Sequence, residues 1–403
     1  LAMITILPFG PGIVTCAQKM FTGVNSFSLL AIPFFILAGN IMNNGGIAIR
    51  LVNCARLISG RLPGSLAQTN IVANMLFGAI SGSGTAAAAA IGGTMAPIEL
   101  EEGYDKDYVA AVNIASAPTG QLIPPSNTLI VYATVAGSVS VAALFMAGYI
   151  PGIAWGISLM FIAGYMAKKE GLRVNLFRDS QKKRSKVLWD ALPSLLLIII
   201  VNRRYSEKAC LLPRKGSAIA VVYALILSLC YRSLKIKDLP SIILSSCKTT
   251  CIVIFMIGVS SIMSWVMAYT MIPTAIANAM LSLSSNKYVI LLLMNVILLV
   301  VGTFMDPTPA VLIFTPIFLP ICQSFGMDPV QFGIMIVFNL CIGTITPPVG
   351  VILFTGCKVV GISIEGVIKT LLPFFAAIAV VLLLVTYVPA MSMWIPSMLG
   401  LVK

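Results

Sequence analysis

The 403-residue sequence predicts an all-helical, polytopic membrane protein with two structural repeats, each containing a re-entrant helical hairpin and a helix broken at Pro-Pro. Three observations support this class: the composition, the Gly and Pro interruptions of apolar segments, and an internal similarity along the chain. Apolar residues make up 59% of the chain and charged residues 10%, whereas globular domains contain about 45–50% and about 25% of these classes. Lipid must therefore be the solvent for much of the chain.

Helix-breaking residues interrupt several of the apolar segments. The clearest cases are residues 81–84 (SGSG), 123–127 (IPPSN) and 346–350 (TPPVG). Proline removes a backbone donor, so each Pro-Pro break leaves unpaired amides and carbonyls. Such groups are tolerated at membrane depth only inside protein or beside a water-filled cavity. The breaks favour a polar site within the membrane; the alternative is that they only kink the helices and allow close packing.

The chain also resembles itself at an offset of 223 positions without a gap. The paired residues are Thr85 and Thr308, Ala87 and Ala310, Pro97 and Pro320, Gly103 and Gly326, Asp105 and Asp328, Gly120 and Gly343, Pro124 and Pro347, and Pro125 and Pro348. We predict one transmembrane domain, 1–403, with repeat 1 at approximately 64–165 and repeat 2 at approximately 287–396. An odd number of crossings between the copies would invert them, which is the arrangement we expect. Paired interruptions in two halves are typical of the binding site of secondary transporters.

The half-helix ends at these breaks could supply the chemistry of a transport site. Helix N-termini carry partial positive charge and suit a carboxylate, with Ser126, Asn127 and Thr128 as further contacts and Gly350 at the second break. Free carbonyls, with Ser and Asp oxygens, suit Na⁺. Asp306 is the only acid within a long apolar stretch, which makes it a candidate cation ligand. Its place before a proline also fits a helix N-cap, and the two roles are compatible.

The remaining polar residues exclude several classes of function. The chain has no histidine, which argues against an intramembrane enzyme and against a zinc site. The net charge of +13 reflects basic clusters such as residues 168–186, which are typical of cytoplasmic loops rather than nucleic-acid sites. Residues 82–85 (GSGT) lack the frame of a nucleotide-binding loop, which disfavours an ATP-driven pump. The acidic run 99–107 is predicted to be a solvated turn between two helices.

The ordered motifs of the chain resemble those of the large membrane subunit of tripartite ATP-independent periplasmic (TRAP) transporters. The matching stretches are residues 28–39 (SLLAIPFFILAG), 77–84 (FGAISGSG), 103–105 (GYD), 123–126 (IPPS), 147–152 (AGYIPG) and 343–348 (GTITPP). The resemblance covers nearly the whole chain. One departure is Ala87, which stands where the family's first hairpin tip usually has an aspartate.

The resemblance implies an elevator-type, Na⁺-driven importer in the bacterial inner membrane, without enzymatic activity and without a cofactor beyond the coupling ion. A periplasmic binding protein would deliver an organic acid, either a sugar acid or a dicarboxylate, and a small four-helix membrane subunit (DctQ-type) would brace the large one. The implied Na⁺ ligands are Ser81, Ser83, Gly120 and Pro124 at one site, and Asp306, Gly343, Thr346 and Val349 at the other. The alternative function is an ion or anion channel that needs no binding protein.

Two parts of the chain depart from this family pattern. The sequence opens at Leu1 within an apolar stretch, so we expect a fragment or the downstream part of a fusion with the small subunit. Residues 201–216 form an anomalous basic segment where the family usually has a Gly-rich turn ending T-P-T-E. One permitted coding of this segment recovers T-P-T-E after three single-base deletions. We therefore hypothesise a frameshift, which resequencing of the coding bases would test.

Overall fold

The computed structural model describes residues 9–25, 27–137, 139–169, 171, 187, 189–194, 196, 213–231, 233–283 and 286–402. These residues form helices joined by short turns, without a strand among them, which confirms the predicted all-helical class. Within this part of the chain, five helices are long and apolar enough to cross a membrane, or six if a pair bent by 76° is counted as one span. The chain is therefore a multi-pass membrane protein.

The described helices fall into two series that share an order of elements. The first series comprises α1 (Phe9–Val24), α2 (Ala31–Asn44), α3 (Ile47–Ser59), α4 (Ser65–Ser81), α5 (Gly84–Glu101), α6 (Lys106–Ser116), α7 (Thr119–Leu122), α8 (Asn127–Ala136) and α9 (Val141–Lys169). The second comprises α10 (Pro213–Cys230), α11 (Leu239–Tyr269), α12 (Ile272–Leu283), α13 (Lys287–Phe304), α14 (Pro307–Ser324), α15 (Pro329–Gly343), α16 (Val351–Val360), α17 (Ile364–Tyr387) and α18 (Ala390–Met398).

In each series, a helix pair is followed by a helix that is broken at Pro-Pro. The pair α4–α5 precedes α6, a break and α8, and the pair α13–α14 precedes α15, a break and α16. Both Pro-Pro peptide bonds are cis. Asp105 and Asp328, which the offset of 223 pairs, are both N-caps, because their carboxylates accept from the backbone N–H two residues later. These caps explain why α6 and α15 begin where they do.

The broken helices lie at the centre of the molecule. Residues 330–343 of α15 and 108–116 of α6 are all buried. By contrast, α11, α13 and α17 expose large apolar side chains, as expected of helices that face lipid. The ring centroids of Trp155 on α9 and Phe338 on α15 lie 4.6 Å apart, and the indole donates to the Ala115 carbonyl of α6 at 3.0 Å. This contact joins the two series in the core.

The interpretation of residues 99–107 as a solvated turn is wrong for Glu99. Glu101, Glu102 and Asp105 are exposed, but Glu99 is 0% exposed. Because Glu99 precedes the end of α5 by two residues, it still lies on the helical surface that packs against α4. The helix face, rather than the local charge density, decides its environment.

The predicted anomalous segment falls mostly outside the described residues. Residues 201–212 lie there, and residues 213–216 form the beginning of α10. The hypothesis of a frameshift therefore stays a prediction.

Candidate substrate and cation site

A cleft of about 430 Å³ lies where the two helix pairs approach the first Pro-Pro break. The residues that line it come from the turn of the first pair, the first break, the start of α14, and helices α2 and α11. Among the predicted site residues, the lining includes Ser81, Ser83, Asn127, Thr128 and Asp306. The cleft thus brings together residues separated by more than 200 positions in sequence.

The turn of the first helix pair is shaped by Gly82 and capped by Ser83. Gly82 has a φ of +62°, a conformation that glycine adopts without strain. The Ser83 hydroxyl accepts from the Ala86 N–H at 3.4 Å and begins α5. A Cβ on Gly82 would lie 2.6 Å from the Pro125 carbonyl oxygen. The turn is therefore seated directly on the first break.

Glycines allow the first helix pair to pack backbone to backbone against the first break. A Cβ added to Gly78 on α4 would lie 2.1 Å from the Gly120 Cα, and a Cβ added to Gly120 would lie 2.4 Å from the Gly78 Cα. Real Cβ atoms essentially never approach other heavy atoms this closely. This approach places the main chain around Gly120 and Pro124 next to the helix that ends at Ser81, as a carbonyl-rich cation site would require.

Near the second break, a similar close contact joins α13 and α15. A Cβ added to Gly343 on α15 would lie 2.3 Å from the carbonyl carbon of Gly302 on α13. The N–H of Gly350, after the second break, donates to the Thr303 carbonyl at 3.4 Å. The Asp306 carboxylate accepts from the Thr308 N–H at 3.1 Å, which confirms its predicted N-cap role. Because Asp306 is exposed, its other oxygen electron pairs remain accessible to a ligand.

The remaining predicted residues of the second site lie around the second break and not in the cleft itself. The Thr346 hydroxyl donates to the Ile342 carbonyl at 2.7 Å, and Val349 is 40% exposed. Gly350 is buried, with a φ of +53°. Their roles as ligands of Na⁺ or substrate stay predictions.

The four predicted substrate contacts differ in their freedom to bind. Ser126 is 0% exposed, and its hydroxyl donates to the Gln121 carbonyl and accepts from the Leu129 N–H. That hydroxyl therefore stabilises the break and caps the N-terminus of α8. Asn127 and Thr128 line the cleft, and the buried Asn127 Oδ1 has no hydrogen-bond partner in the described part of the chain. The Asn127 oxygen is thus an acceptor that a bound ligand could satisfy.

Six polar residues that line the cleft were not predicted as site residues: Thr85 and Thr308, which the sequence marked only as a repeat pair, and four others. The four others are Asn40 and Asn43 on α2, Gln121 before the first break, and Thr249 on α11. Gln121 also joins the halves, because its Oε1 accepts from the Cys341 thiol at 2.9 Å. Asn40 and Asn43 are amides at i and i+3 within an apolar segment, a pattern that could have marked them as functional.

The cleft combines a negative side chain with the positive ends of two helices. Asp306 is the one charged side chain among the lining residues that the structure describes. The N-termini of α5 and α8 begin at Ser83 and Ser126, beside the cleft, and contribute partial positive charge. A carboxylate bound here would meet helix ends and amides, and it would also face the negative charge of Asp306.

Comparison with known proteins decides the family. Residues 1–391 match the model of the DctM component of the tripartite ATP-independent periplasmic transporters. This chain belongs to the DctM family. Its members are transporter permease subunits, which confirms both the predicted family and the prediction that the chain is not an enzyme.

Three relatives of this DctM-family chain align over most of its length. YgiK of Salmonella typhimurium is 51% identical over 397 residues, covering 98% of this chain and 91% of the relative. The isethionate TRAP transporter permease protein DctMQ of Oleidesulfovibrio alaskensis is 40% identical, covering 94% of this chain and 59% of the relative. The C4-dicarboxylate TRAP transporter large permease protein DctM of Pseudomonas aeruginosa is 37% identical, covering 99% and 93%.

Solved transporter structures share the fold at low sequence identity. The YdaH transporter of Alcanivorax borkumensis superposes with a TM-score of 0.65 at 13% identity, covering 93% of this chain and 88% of that one. MtrF of Neisseria gonorrhoeae superposes with a TM-score of 0.64 at 14% identity, covering 96% and 85%. These likenesses place the helical arrangement among membrane transporters.

Proposed function

We propose that this chain is the permease of a Na⁺-coupled secondary importer of a small organic acid, located in the bacterial inner membrane. The observation that carries the proposal is the charge of the cleft, where Asp306 is the one charged side chain among the described lining residues. Two carboxylates about 4 Å apart repel each other by about 4 kcal/mol at an effective dielectric constant near 20. A co-bound cation would remove this repulsion, so acid and cation would bind together.

The proposed cation sites use the contacts between each helix pair and its break. Ser81, Ser83, Gly120 and Pro124 would contribute at the first contact, and Asp306, Gly343, Thr346 and Val349 at the second. The close Gly78–Gly120 and Gly302–Gly343 approaches support this assignment, because they bring main-chain carbonyls of two elements together. Na⁺ is a hard cation that suits such oxygen ligands. The Asn127 amide nitrogen, the Thr128 hydroxyl and the N-terminus of α8 would donate to the substrate carboxylate, with Ser126 and Gly350 shaping the breaks.

We infer the remaining features of the mechanism from the two matching series of elements. The pairs α4–α5 and α13–α14 would be re-entrant hairpins of two inverted repeats that move together as an elevator. The relatives named as TRAP permeases indicate the substrate class, an organic acid. The family name implies two partners: a periplasmic binding protein, and a small membrane subunit such as the one that the name DctMQ indicates.

Reconstitution into proteoliposomes tests this function. The permease, its small subunit and its loaded binding protein should take up the acid only when an inward Na⁺ gradient is present. A K⁺ gradient of the same size is the control for membrane potential and osmotic effects. Current or flux that needs neither Na⁺ nor the binding protein would overturn the proposal in favour of a channel.

A further inference from the structure

Glu99 lies in a buried polar cluster that the transport site does not use. The amide nitrogen of Asn70 on α4 lies 3.3 Å from both carboxylate oxygens of Glu99 on α5. Asn74, one turn further along α4, contacts Asn70 at 2.8 Å and Asn113 and Ser116 on α6 at 3.2 and 2.8 Å. All five residues are 0% exposed. The cluster therefore ties together α4, α5 and α6.

One amide of the cluster faces more acceptors than it has hydrogens. The Asn74 amide nitrogen has two hydrogens but faces three acceptor oxygens, those of Asn70, Asn113 and Ser116. The Asn74 Oδ1 is itself buried without a partner in the described part of the chain. Buried acceptors without donors are uncommon and unfavourable. The Asn74 amide nitrogen is therefore fully used by Asn70, Asn113 and Ser116 and donates no hydrogen bond to Glu99.

No cationic side chain among the described residues hydrogen-bonds to Glu99. Its carboxylate receives its hydrogen bonds in the described part of the chain from the neutral Asn70 amide. Besides Glu99, the titratable and charged side chains on α5 and the elements around it are Arg50, Cys54 and Arg56 on α3, Glu101 at the end of α5, Glu102, Tyr104 and Asp105 in the turn, Lys106, Asp107 and Tyr108 on α6, and Cys357 and Lys358 on α16. A buried carboxylate without a positive partner is strongly disfavoured in its charged form.

The close packing of the cluster favours a proton over a metal ion. Its side-chain atoms lie 2.8–3.3 Å from one another. An Na⁺ or Ca²⁺ ion would need a shell of oxygens about 2.3–2.6 Å from its centre, and hence a cavity. Neither the cleft of about 430 Å³ nor the second cavity of about 380 Å³ is lined by any of these residues. A proton needs no such space.

Only the first half carries this carboxyl at the matched position. The offset of 223 pairs Glu99 with Cys322 on α14, whose thiol contacts the Met294 sulfur at 3.6 Å. The second half therefore packs neutral sulfur groups where the first half packs an acid.

We propose that Glu99 is a proton-binding site that holds α4, α5 and α6 together as a neutral carboxylic acid. Loss of the proton leaves a buried anion whose hydrogen bonds in the described part of the chain come from one neutral amide, and this loosens the first helix pair. This site is separate from the Na⁺ sites proposed at the breaks, and its existence does not depend on them. It gives the permease a built-in response to alkaline pH.

Infrared spectroscopy of the purified complex in nanodiscs tests the protonation directly. A neutral carboxylic acid has a C=O stretching band that a carboxylate lacks. At neutral pH, the spectrum of the unmodified protein minus that of Glu99→Gln should contain this band, and it should weaken at alkaline pH. Glu101→Gln, which changes an exposed acid two residues away, is the matched control and should not alter the band. Absence of a Glu99-dependent band at neutral pH would overturn the proposal.

Thermal unfolding as a function of pH supplies a second measurement. The folded protein keeps a proton that the unfolded chain releases, so its stability should fall as pH rises through neutrality. Glu99→Gln is a neutral mimic of the same shape, so it should fold, keep Na⁺-driven uptake, and lose this part of the pH dependence. Failure of Glu99→Gln to fold, or an unchanged pH dependence, would contradict a neutral Glu99. Loss of Na⁺-driven uptake in the unmodified protein would instead contradict the proposed transport function.

Discussion

The glycine contacts between the helix pairs and the breaks predict that glycine-to-alanine substitutions weaken Na⁺ binding in proportion to how closely the added methyl group approaches backbone. Gly78→Ala would place a methyl group 2.1 Å from the Gly120 Cα and 2.8 Å from its amide nitrogen. Ordinary contact begins at 3.4 Å, and both opposing atoms are backbone that cannot rotate away. The helix pair must therefore move by roughly 1 Å, whereas binding sites must be held to about 0.5 Å. We expect the first cation site to lose its geometry.

The size of the effect follows from the cost of overpacking. Inserting a methyl group into a well-packed contact costs about 1–3 kcal/mol, which corresponds to a loss of roughly 5-fold to 150-fold in affinity at about 1.4 kcal/mol per factor of ten. The Na⁺ concentration for half-maximal uptake should therefore rise in Gly78→Ala by a factor in this range. The assay is the initial rate of uptake into proteoliposomes as a function of external Na⁺.

Substitutions of three other glycines extend this test and supply its control. Gly343→Ala meets backbone at 2.3 Å and should behave like Gly78→Ala, whereas Gly302→Ala meets its nearest atom at 3.1 Å and should be milder. Gly93→Ala, on the second arm of the first pair, meets nothing within 4 Å and should leave Na⁺ activation unchanged. Equal Na⁺ activation across all four variants would refute the reasoning that these contacts form the cation sites.

Three further predictions concern single side chains. Asp306→Ala and Asp306→Ser should both lose Na⁺-driven uptake. Serine keeps the helix cap, whereas alanine loses it at a cost of about 1 kcal/mol in stability. Recovered uptake in Asp306→Ser would show that Asp306 acts only as a helix cap. Ser126→Ala should lower stability by about 1–2 kcal/mol because it loses a helix cap, and it should not change the substrate concentration for half-maximal uptake. Thr128→Val should raise that concentration. A raised concentration in Ser126→Ala and an unchanged one in Thr128→Val would contradict these assignments. Trp155→Phe should cost about 1–3 kcal/mol in denaturant unfolding because the buried Ala115 carbonyl loses its donor, and unchanged unfolding would contradict that contact.

The sequence predicted those features of the site that depend on local backbone chemistry. Gly82 and the two Pro-Pro pairs interrupt helices because of their own dihedral and hydrogen-bonding limits, wherever the rest of the chain lies. The N-cap role of Asp306 follows equally from the Asp-Pro order at the start of a helix. These local rules located both breaks and both turns before the fold was known.

Features that depend on packing between distant segments could not be predicted in this way. Asn40 and Thr249 line the same cleft although about 200 residues separate them. Glu99 was predicted to be solvated because its neighbours in sequence are charged, but Asn70, on another helix, defines its surroundings. Both cases depend on which faces of two helices pack against each other. These helices are apolar on nearly every face, so their sequences do not indicate the packed face.

The two halves are proposed to share one cleft that binds acid and cation together. Single cysteines at Thr128 and Thr308 test this proposal, because these residues line the cleft from different halves. The background protein should lack the exposed Cys230, Cys247 and Cys251, and a cysteine at the half-buried Thr355, which does not line the cleft, serves as the control. In proteoliposomes, a thiol reagent should label Thr128→Cys and Thr308→Cys, and Na⁺ with the loaded binding protein should slow both reactions and leave Thr355→Cys unaffected. Protection of only one of the two cleft positions would contradict a shared site.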